Sequence, residues 1–276
     1  MNLTKPSSNQ TFQISPDPTW PSIEFETDGS GPHTWTWSIH SGTYFKSGVV
    51  HTEGNTWDAK EVCEGLGGAL KGRIEAGDDS AEISVQIVGT NPSADAVNAY
   101  IRNHPGSDGF ERIVAHESRY KQFTPDGSPM RTFDHGYGMC QLTHPIPSFE
   151  QVWNWKHNVD GGLALFAEKH ALAKHYLGQN GRSYTAQQLT YEAVCQWNGG
   201  SYHSWNAQTG AWVRTPTILC DSTTGNIGWD MTLPENQGKT ESELHQRDVH
   251  SYNKPPGHGS GWKYSGVCYA DKILSQ

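Results

Sequence analysis

Residues 81–101 read AEISVQIVGTNPSADAVNAYI, and the spacing of the apolar residues changes within this stretch. Up to residue 87 the apolar residues alternate with polar ones, which is the period of a half-buried β-strand. From Ser93 onward they recur every three or four residues, the period of an amphipathic helix, and Ser93 itself is a suitable N-cap. The sequence therefore predicts a boundary between a β-rich part and an α-rich part near residue 91.

Strand-like alternation continues on the amino-terminal side of this boundary. Apolar residues alternate with polar ones in residues 23–25, 35–39 and 81–87, and clusters of Gly, Asp, Ser and Asn separate these segments. Two short sheets packed face to face would bury the apolar residues, so residues 21–91 are predicted to form a small antiparallel β-sandwich of immunoglobulin-like type. Residues 1–20 are polar and interrupted by prolines, and we expect a flexible leader that adds little to the core.

Helical spacing dominates on the carboxyl-terminal side. In residues 110–118 the apolar positions fall on one helix face, and Glu117 continues that face. Further helices are predicted within residues 159–177 and 186–197, the second ending at a run of Asn and Gly.

Residues 201–262 are rich in Gly, Pro, Asn and Trp without a clear period, and are predicted to form long loops. These observations favour an α+β multidomain chain. A leader over 1–20 and a β module over 21–91 would precede a mainly α-helical domain over 92–276.

Composition restricts the partners of the chain. It has 276 residues, with 20 Lys and Arg against 29 Asp and Glu, so its formal net charge is −9. Binding of nucleic acid phosphates needs clustered Lys and Arg, so nucleic acid is not expected as a main partner. No run of 18 apolar residues is present, and the first residues lack the apolar region of a secretory signal peptide. We therefore expect neither a membrane span nor Sec-dependent export.

The five cysteines show no CxxC spacing, and their odd number argues against a disulfide framework. One late bridge, between Cys220 and Cys268, is the most that the sequence allows. Buried free thiols are the expectation for Cys63, Cys140 and Cys195.

Fourteen histidines raise the question of a metal site. The densest cluster of candidate ligands is His245, Asp248, His250 and His258. The HExxH and CxxC motifs are absent, and irregular histidine spacing in a loop is weak support for a ligand set. The sequence therefore predicts neither a metal nor another cofactor.

Glu117 is the most informative candidate for chemistry. Its place on the apolar face of a helix end would partly desolvate the carboxyl group, and desolvation disfavours the charged form of such a group. A carboxyl group that keeps its proton near neutral pH can act as a general acid. The alternative is a glutamate that faces solvent or pairs with Arg119 or Lys121.

Four short motifs follow one another along the chain, each at the edge of a predicted element. They are His116-Glu-Ser118, Gly136-Tyr-Gly-Met-Cys-Gln-Leu142, Asn158-Val-Asp-Gly-Gly-Leu163 and Trp197-Asn-Gly-Gly200. This order resembles the lysozyme-like domain of goose-type lysozymes and soluble lytic transglycosylases, over about residues 93–276. The resemblance implies a lysozyme-like fold and cleavage of the MurNAc-β-1,4-GlcNAc bond of peptidoglycan.

The resemblance, carried over residue by residue, makes Glu117 the general acid. It implies a substrate cleft lined by Ser118, Tyr137, Met139, Gln141, Trp197 and Asn198. Gln141 offers a donor and an acceptor to hydroxyl or acetamido groups, and Trp197 offers a flat apolar face to a pyranose ring. For Met139, simple packing in the core is the alternative.

The chain also departs from the pattern of these families. Trp197 stands where they have Tyr, and the interval between Glu117 and Gln141 is longer than in most lytic transglycosylases. That interval contains Asp134, in a segment that looks more like goose-type lysozymes. An inverting hydrolase needs a second carboxylate to activate water, whereas a lytic transglycosylase needs only the acid. Asp134 is therefore the predicted base, its alternative being a turn residue ahead of Gly136.

The sequence thus predicts an enzyme, a muramidase that hydrolyses glycan strands. Three alternatives stay open: a lytic transglycosylase that forms anhydro-MurNAc products, a non-catalytic peptidoglycan-binding protein, and a metallopeptidase that acts on stem peptides. Because peptidoglycan lies outside the cytoplasm, we expect delivery to the periplasm or cell wall of a target bacterium by a secretion apparatus or a phage. The chain would then be an antibacterial effector or a phage-type lysin, and an effector implies an immunity protein as a further partner.

Overall fold

The computed structural model describes residues 1–76, 79–132, 135–253 and 261–275, and both helices and antiparallel sheets form there, as the predicted α+β class requires. The strands are β1 (Leu3–Lys5), β2 (Thr11–Ile14), β3 (Glu24–Thr27), β4 (His33–Ser41), β5 (Tyr44–Thr52), β6 (Thr56–Asp58), β7 (Gly68–Ala76), β8 (Asp79–Gly89), β9 (His203–Asn206), β10 (Ala211–Arg214), β11 (Ile218–Cys220), β12 (Ile227–Asp230) and β13 (Trp262–Tyr264). The helices are α1 (Lys60–Cys63), α2 (Ala94–Arg102), α3 (Phe110–Ser118), α4 (Phe149–Trp153), α5 (Trp155–Leu177), α6 (Ala186–Asn198), α7 (Glu241–Asp248) and α8 (Gly266–Leu274).

The chain divides into two compact units, each built from two separate segments. The N-terminal unit comprises Met1–Tyr100 and Glu117–Gly162, and the C-terminal unit comprises Ile101–His116 and Leu163–Gln276. The boundaries between the units fall inside α2, α3 and α5, so each of these helices contains residues of both units. None of these boundaries coincides with the predicted boundary near residue 91.

The N-terminal unit contains two β-sheets that share one core. One has the strand order β2-β8-β7-β4-β5 and is antiparallel except for the parallel pair β2 and β8, and the other has the antiparallel order β1-β3-β6. Along β4, Trp35, Trp37 and Ile39 are buried, as the period of two predicts. The ring of Phe25 on β3 stacks on Trp57 at 5.1 Å and lies 6.4 Å from the ring of Trp35. Aromatic side chains of both sheets therefore meet.

Residues 1–20, predicted to be a flexible leader, belong to this β-structure. They supply β1, which pairs with β3, and β2, which pairs with β8. Ile14 and Trp20 are each only 2% exposed, and Trp20 Nε1 donates to the carbonyl oxygen of Leu66 at 2.6 Å. The expectation that this segment adds little to the core is therefore wrong. Most of its residues are polar, but Ile14 and Trp20 are packed in the core.

An irregular segment follows α3 and precedes α4. The helix ends at Ser118 because Arg119 and Tyr120 both take left-handed backbone angles, with φ of 54° and 61°. Ser148 begins α4 with a capping box, in which its side chain accepts from the N–H of Gln151 and the Gln151 side chain bonds back. The segment between these two ends carries most of the predicted site residues of the N-terminal unit.

The C-terminal unit also contains β-structure. Residues 201–262, predicted as long loops, include strands β9 to β12 and helix α7 in their described part, so that expectation is wrong. The strands are three or four residues long, too short for an alternating pattern to be visible in the sequence. Trp229 of β12 and Leu244 of α7 are completely buried and belong to one small cluster.

The cysteines behave as the sequence allowed. Cys220 at the end of β11 and Cys268 in α8 form a disulfide, with their Cα atoms 5.4 Å apart. Cys63, Cys140 and Cys195 are free and buried, as predicted. The bridge fastens the last helix to a strand of the C-terminal unit.

Helix α5 is the longest helix of the described chain, with 23 residues. It carries charged side chains along its whole length, namely Lys156, Asp160, Glu168, Lys169 and Lys174. Over the described residues, no helix combines the length and the apolar character needed to cross a lipid bilayer.

Candidate functional site

Glu117 lies one residue before the end of α3. The earlier residues on its face, Phe110, Ile113 and Val114, are completely buried, as the helical spacing predicts. Glu117 is half-buried, and Ser118 is buried with 7% exposure. The buried face of the helix therefore ends in a carboxyl group at the border between core and solvent.

Residues 136–142 form a tight loop. Tyr137 and Leu142 exchange two backbone hydrogen bonds of 3.0 and 3.1 Å, which bring the two ends of the loop together. Between them, Gly138 and Gln141 take left-handed backbone angles, with φ of 69° and 51°. This conformation suits glycine but is uncommon for glutamine, so the rest of the loop has to hold Gln141 in place.

Two buried amide side chains anchor this loop. Gln122 Oε1 accepts from the N–H of Met139 at 3.1 Å, and Asn158 Oδ1 accepts from the N–H of Cys140 at 2.9 Å. Both amides are completely buried. A Cβ atom at Gly138 would lie 2.5 Å from an atom of each amide, so no larger residue fits there without displacing the anchors. The backbone of the loop is therefore fixed by neutral groups from two other parts of the N-terminal unit.

The side chain of Gln141, predicted to bind sugar, is bonded within the loop. Its Nε2 donates to the carbonyl oxygen of Gly138 at 2.7 Å, and its Oε1 accepts from Thr132 Oγ1 at 2.7 Å. A primary amide has two donor hydrogens and two acceptor lone pairs, so one of each is left for a ligand. These bonds set the orientation in which Gln141 would meet a substrate.

Met139 and Tyr137 differ in accessibility. Met139 is completely buried, which favours the alternative of core packing over substrate contact. Tyr137 is half-buried, with its ring edge-on to Tyr44 at 5.7 Å and beneath the guanidinium of Arg131 at 5.3 Å. Of these two predicted contact residues, only Tyr137 has an exposed surface to offer.

A second carboxylate, not singled out from the sequence, acts on the same loop as Glu117. Burial raises the pKa of the Cys140 thiol, and the negative charges of Glu117 and Asp160 raise it further. Asp160 is exposed on α5 and accepts a hydrogen bond of 2.8 Å from the hydroxyl of Tyr100. Burial and this bond raise the pKa of Tyr100 to about 12. Asp160 lies in the third sequence motif, two residues after the anchoring Asn158. Its place in that motif is the sequence signal that could have identified it.

Asp134, the predicted base, lies outside the described residues, and its role stays a prediction. His258 of the histidine cluster also lies outside them. Within the described part of the cluster, His245 Nδ1 lies 2.8 Å from Asp221, and Asp248 accepts a bond of 2.8 Å from Trp229 Nε1. Among the described residues, no group of three or more His, Cys, Asp or Glu side chains could hold a metal ion.

Trp197 and Asn198 end α6, and both are half-buried. The Trp197 ring packs edge-on against Phe110 at 5.7 Å and lies 6.5 Å from Phe166. Both residues belong to the C-terminal unit, whereas the other described site residues belong to the N-terminal unit. The predicted cleft residues therefore fall into two sets.

The tryptophans of residues 201–262 were open to two interpretations, sugar stacking or anchoring of loops. Trp212, Trp229 and Trp262 are buried, with exposures of 6%, 0% and 3%, which favours anchoring. Trp205 is half-buried, and the guanidinium of Arg182 lies over its ring at 4.3 Å.

A buried carboxylate on α6 was also missed from the sequence. Glu192 is completely buried and accepts from the backbone N–H groups of Tyr202 at 3.2 Å and His203 at 3.0 Å. His203 Nδ1 lies 2.8 Å from the same carboxylate. Glu192 therefore fastens the chain that leaves α6, and these contacts of its carboxylate are internal to the C-terminal unit.

The four sequence motifs thus lie at helix ends and in one anchored loop. Glu117 and Ser118 end α3, Asn158 anchors the loop of residues 136–142, and Trp197 and Asn198 end α6. Compared as a whole, the chain matches no family model, no curated protein and no solved structure.

Proposed function

We propose that this chain is a peptidoglycan glycosidase in which Glu117 protonates the glycosidic oxygen as the C–O bond breaks. The observation that carries the proposal is the half-buried carboxyl group at the end of α3, at the border between core and solvent. General-acid catalysis needs a carboxyl group that substrate can reach and water only partly solvates. Glu117 has that environment, and the loop offers Tyr137 and Gln141 for substrate contact.

The finer fold is part of the same proposal. A lysozyme-like arrangement of residues 92–276 would account for the order of the four motifs. An immunoglobulin-like sandwich, predicted for residues 21–91, is supported by the aromatic contacts that Phe25 makes with Trp35 and Trp57, and it includes β1 and β2 of residues 1–20.

For the second step we propose hydrolysis, with Asp134 as the base that activates water. The alternative is attack by the sugar's own hydroxyl, which closes an anhydro ring and needs no base. Mass spectrometry of the products from purified sacculi separates the two. Reducing ends support hydrolysis, whereas anhydro-MurNAc ends remove Asp134 from the role of base.

The test of the first step is the substitution Glu117→Gln. It keeps the size of the side chain and removes the acid, so cleavage of sacculi should fall at least about a hundredfold. The melting temperature should stay nearly the same, because Glu117 is only half-buried. The matched control is Glu111→Gln, a half-buried residue of the same helix, which should keep its activity.

Wild-type cleavage by Glu117→Gln would end the enzymatic assignment of this residue. The competing function, a non-catalytic peptidoglycan-binding protein, predicts a different result. In that case the wild-type chain is retained on insoluble peptidoglycan, and no soluble fragment is released at any time.

The proposed substrate lies outside the cytoplasm. We extend the proposal to an antibacterial effector or phage-type lysin, delivered to the periplasm or cell wall of a target bacterium by a secretion apparatus or phage. An effector of this kind would be paired with an immunity protein in its producer. Export of the chain by the ordinary Sec route would contradict this extension.

A further inference from the structure

A cavity of about 360 Å³ lies within the N-terminal unit, at one end of the five-stranded sheet. Three adjacent strands contribute side chains that are paired in register, His40 of β4, Ala69 of β7 and Gln86 of β8. The segment that follows α3 supplies the opposite wall, which includes Ser128, Arg131 and Tyr137. The volume is within the range of pockets that hold small ligands or single units of a polymer.

The lining of this cavity suits a hydrophilic, anionic ligand. His40 and Gln86 provide side chains that donate or accept hydrogen bonds, and Arg131 provides a permanent positive charge. The hydroxyl of Ser128 already donates to Asp126 at 3.2 Å. Among the described lining residues none is acidic, although the chain as a whole has a net charge of −9. The described side chains that line the cavity therefore carry a positive charge, whereas the chain as a whole is negative.

Arg131 is held in place and still exposed. Its Nη2 donates to Nδ1 of His135 at 2.6 Å, and its guanidinium lies 5.3 Å from the centre of the Tyr137 ring. Among the described residues, its contacts are thus an imidazole and a phenol ring, neither of them a carboxylate. The guanidinium has five N–H donors in a planar fork, so it can still bind a carboxylate with two parallel bonds.

The cavity is connected to the proposed catalytic site through one loop. Tyr137 lines the cavity and lies in the loop of residues 136–142, which also contains Cys140, the thiol whose pKa the Glu117 carboxylate raises. The same loop presents Gln141, with its side chain fixed by Gly138 and Thr132. A polymer bound in the cavity would therefore lie against the loop that carries the proposed substrate contacts.

We propose that this cavity binds a carboxylate-bearing part of an amino-sugar polymer, with Arg131 pairing with the carboxylate. The inference rests on the proposed function, since it assigns one further section of the same substrate to the five-stranded sheet. The five-stranded sheet is then part of the substrate-binding surface, to which it contributes the side chains of His40 and Gln86. The carboxylate can come from the lactyl ether of a peptide-free muramic acid or from a peptide attached to it, since both have the same chemistry.

Binding is measured by calorimetry with the full chain carrying Glu117→Gln, so that no turnover is required. The probes are a neutral chitin tetrasaccharide, a peptide-free GlcNAc-MurNAc tetrasaccharide, and the same tetrasaccharide with its peptides. Arg131→Ala should weaken binding of an acidic probe by about tenfold or more, because a charged pair is lost, and binding of chitin by less than about twofold. An effect on the peptide-free probe identifies the lactyl carboxylate, and an effect on the peptide-bearing probe alone identifies the peptide.

Gln86→Trp is the second variant. It should weaken binding of all three probes, because the larger side chain fills the cavity. Gln86 is exposed on β8, where an aromatic residue is compatible with a strand. The matched controls are Arg73→Ala and Glu82→Trp, which lie on the same sheet but line a different cavity.

Equal affinities of Arg131→Ala and Arg73→Ala for both acidic probes would overturn the inference. Failure of the proposed function is recognised separately. If the wild-type chain releases nothing from sacculi, the proposed glycosidase activity is refuted. If Arg131→Ala still weakens binding of the acidic probes in that case, the assignment of the cavity is kept.

Discussion

Two glutamates on helices of this protein have opposite environments. Glu192 on α6 is completely buried, and its carboxylate is bonded to two backbone N–H groups and to His203. Glu117 on α3 is half-buried at a helix end, beside a loop that neutral amides hold in place. A carboxylate enclosed by internal bonds stabilises the fold, whereas one at the border of the core can meet a ligand. The comparison separates a structural acid from a candidate catalytic one on geometry alone.

The largest effect on stability is expected from Glu192→Ala. The substitution leaves His203 and two buried N–H groups without their acceptor, so the free energy of unfolding should fall by about 3–5 kcal/mol. Denaturant unfolding measures it, with the exposed Glu168→Ala on α5 as control. A loss below about 1 kcal/mol would show that Glu192 is not the fastening group, and the contrast with Glu117 would disappear.

A smaller loss of stability is expected from Asn158→Ala, which removes one anchor of the loop. The N–H of Cys140 and the carbonyl oxygen of Tyr137 lose their bonds of 2.9 and 3.1 Å, which should cost about 1–3 kcal/mol. Hydrogen exchange at Cys140 should become faster than in the exposed control Asn103→Ala. Unchanged exchange would mean that the loop does not depend on this amide.

The smallest effect on stability is expected from Asp160→Asn, because Asp160 is exposed and its bond to Tyr100 lies at the surface. The free energy of unfolding should change by less than about 1 kcal/mol. The pKa of Tyr100, now about 12, should fall because the neighbouring charge is gone, but not to its ordinary value near 10, because burial persists. Spectroscopic titration, with Tyr100→Phe as the reference, measures the shift.

The same Asp160→Asn variant also tests whether Asp160 takes part in the proposed reaction. If cleavage of sacculi falls together with the pKa of Tyr100, Asp160 is a second carboxylate in the reaction. Unaltered cleavage would leave Asp134, the proposed base, as the only candidate for the second carboxylate.

The spacing of apolar residues predicted those strands and helix faces that depend only on neighbouring residues in the sequence. The alternation in β4 and the buried face of α3 follow from periods of two and 3.6, and both are present. The leader of residues 1–20 was predicted wrongly, because the pairing of β2 with β8 joins residues far apart in the chain. No local signal records such a pairing.

The anchors of the candidate site escaped prediction for the same reason. Gln122 bonds to Met139, and its own N–H donates to Asn91 Oδ1 at 2.7 Å, a contact between residues 31 positions apart. Glu192 was hidden because its partners Tyr202 and His203 lie beyond the helix end. Polar residues that are buried by long-range bonds look, in a sequence, like ordinary surface residues.

The short strand β2 is an outer strand of the five-stranded sheet, where it covers the backbone of β8. Removal of the residues before position 15 would expose the N–H and C=O groups of β8 along that side. An uncovered strand is a template for pairing with another molecule, so a shortened chain would be prone to aggregate. Residues 11–14 therefore complete the sheet, and they replace part of the long edge of β8 by a strand of only four residues.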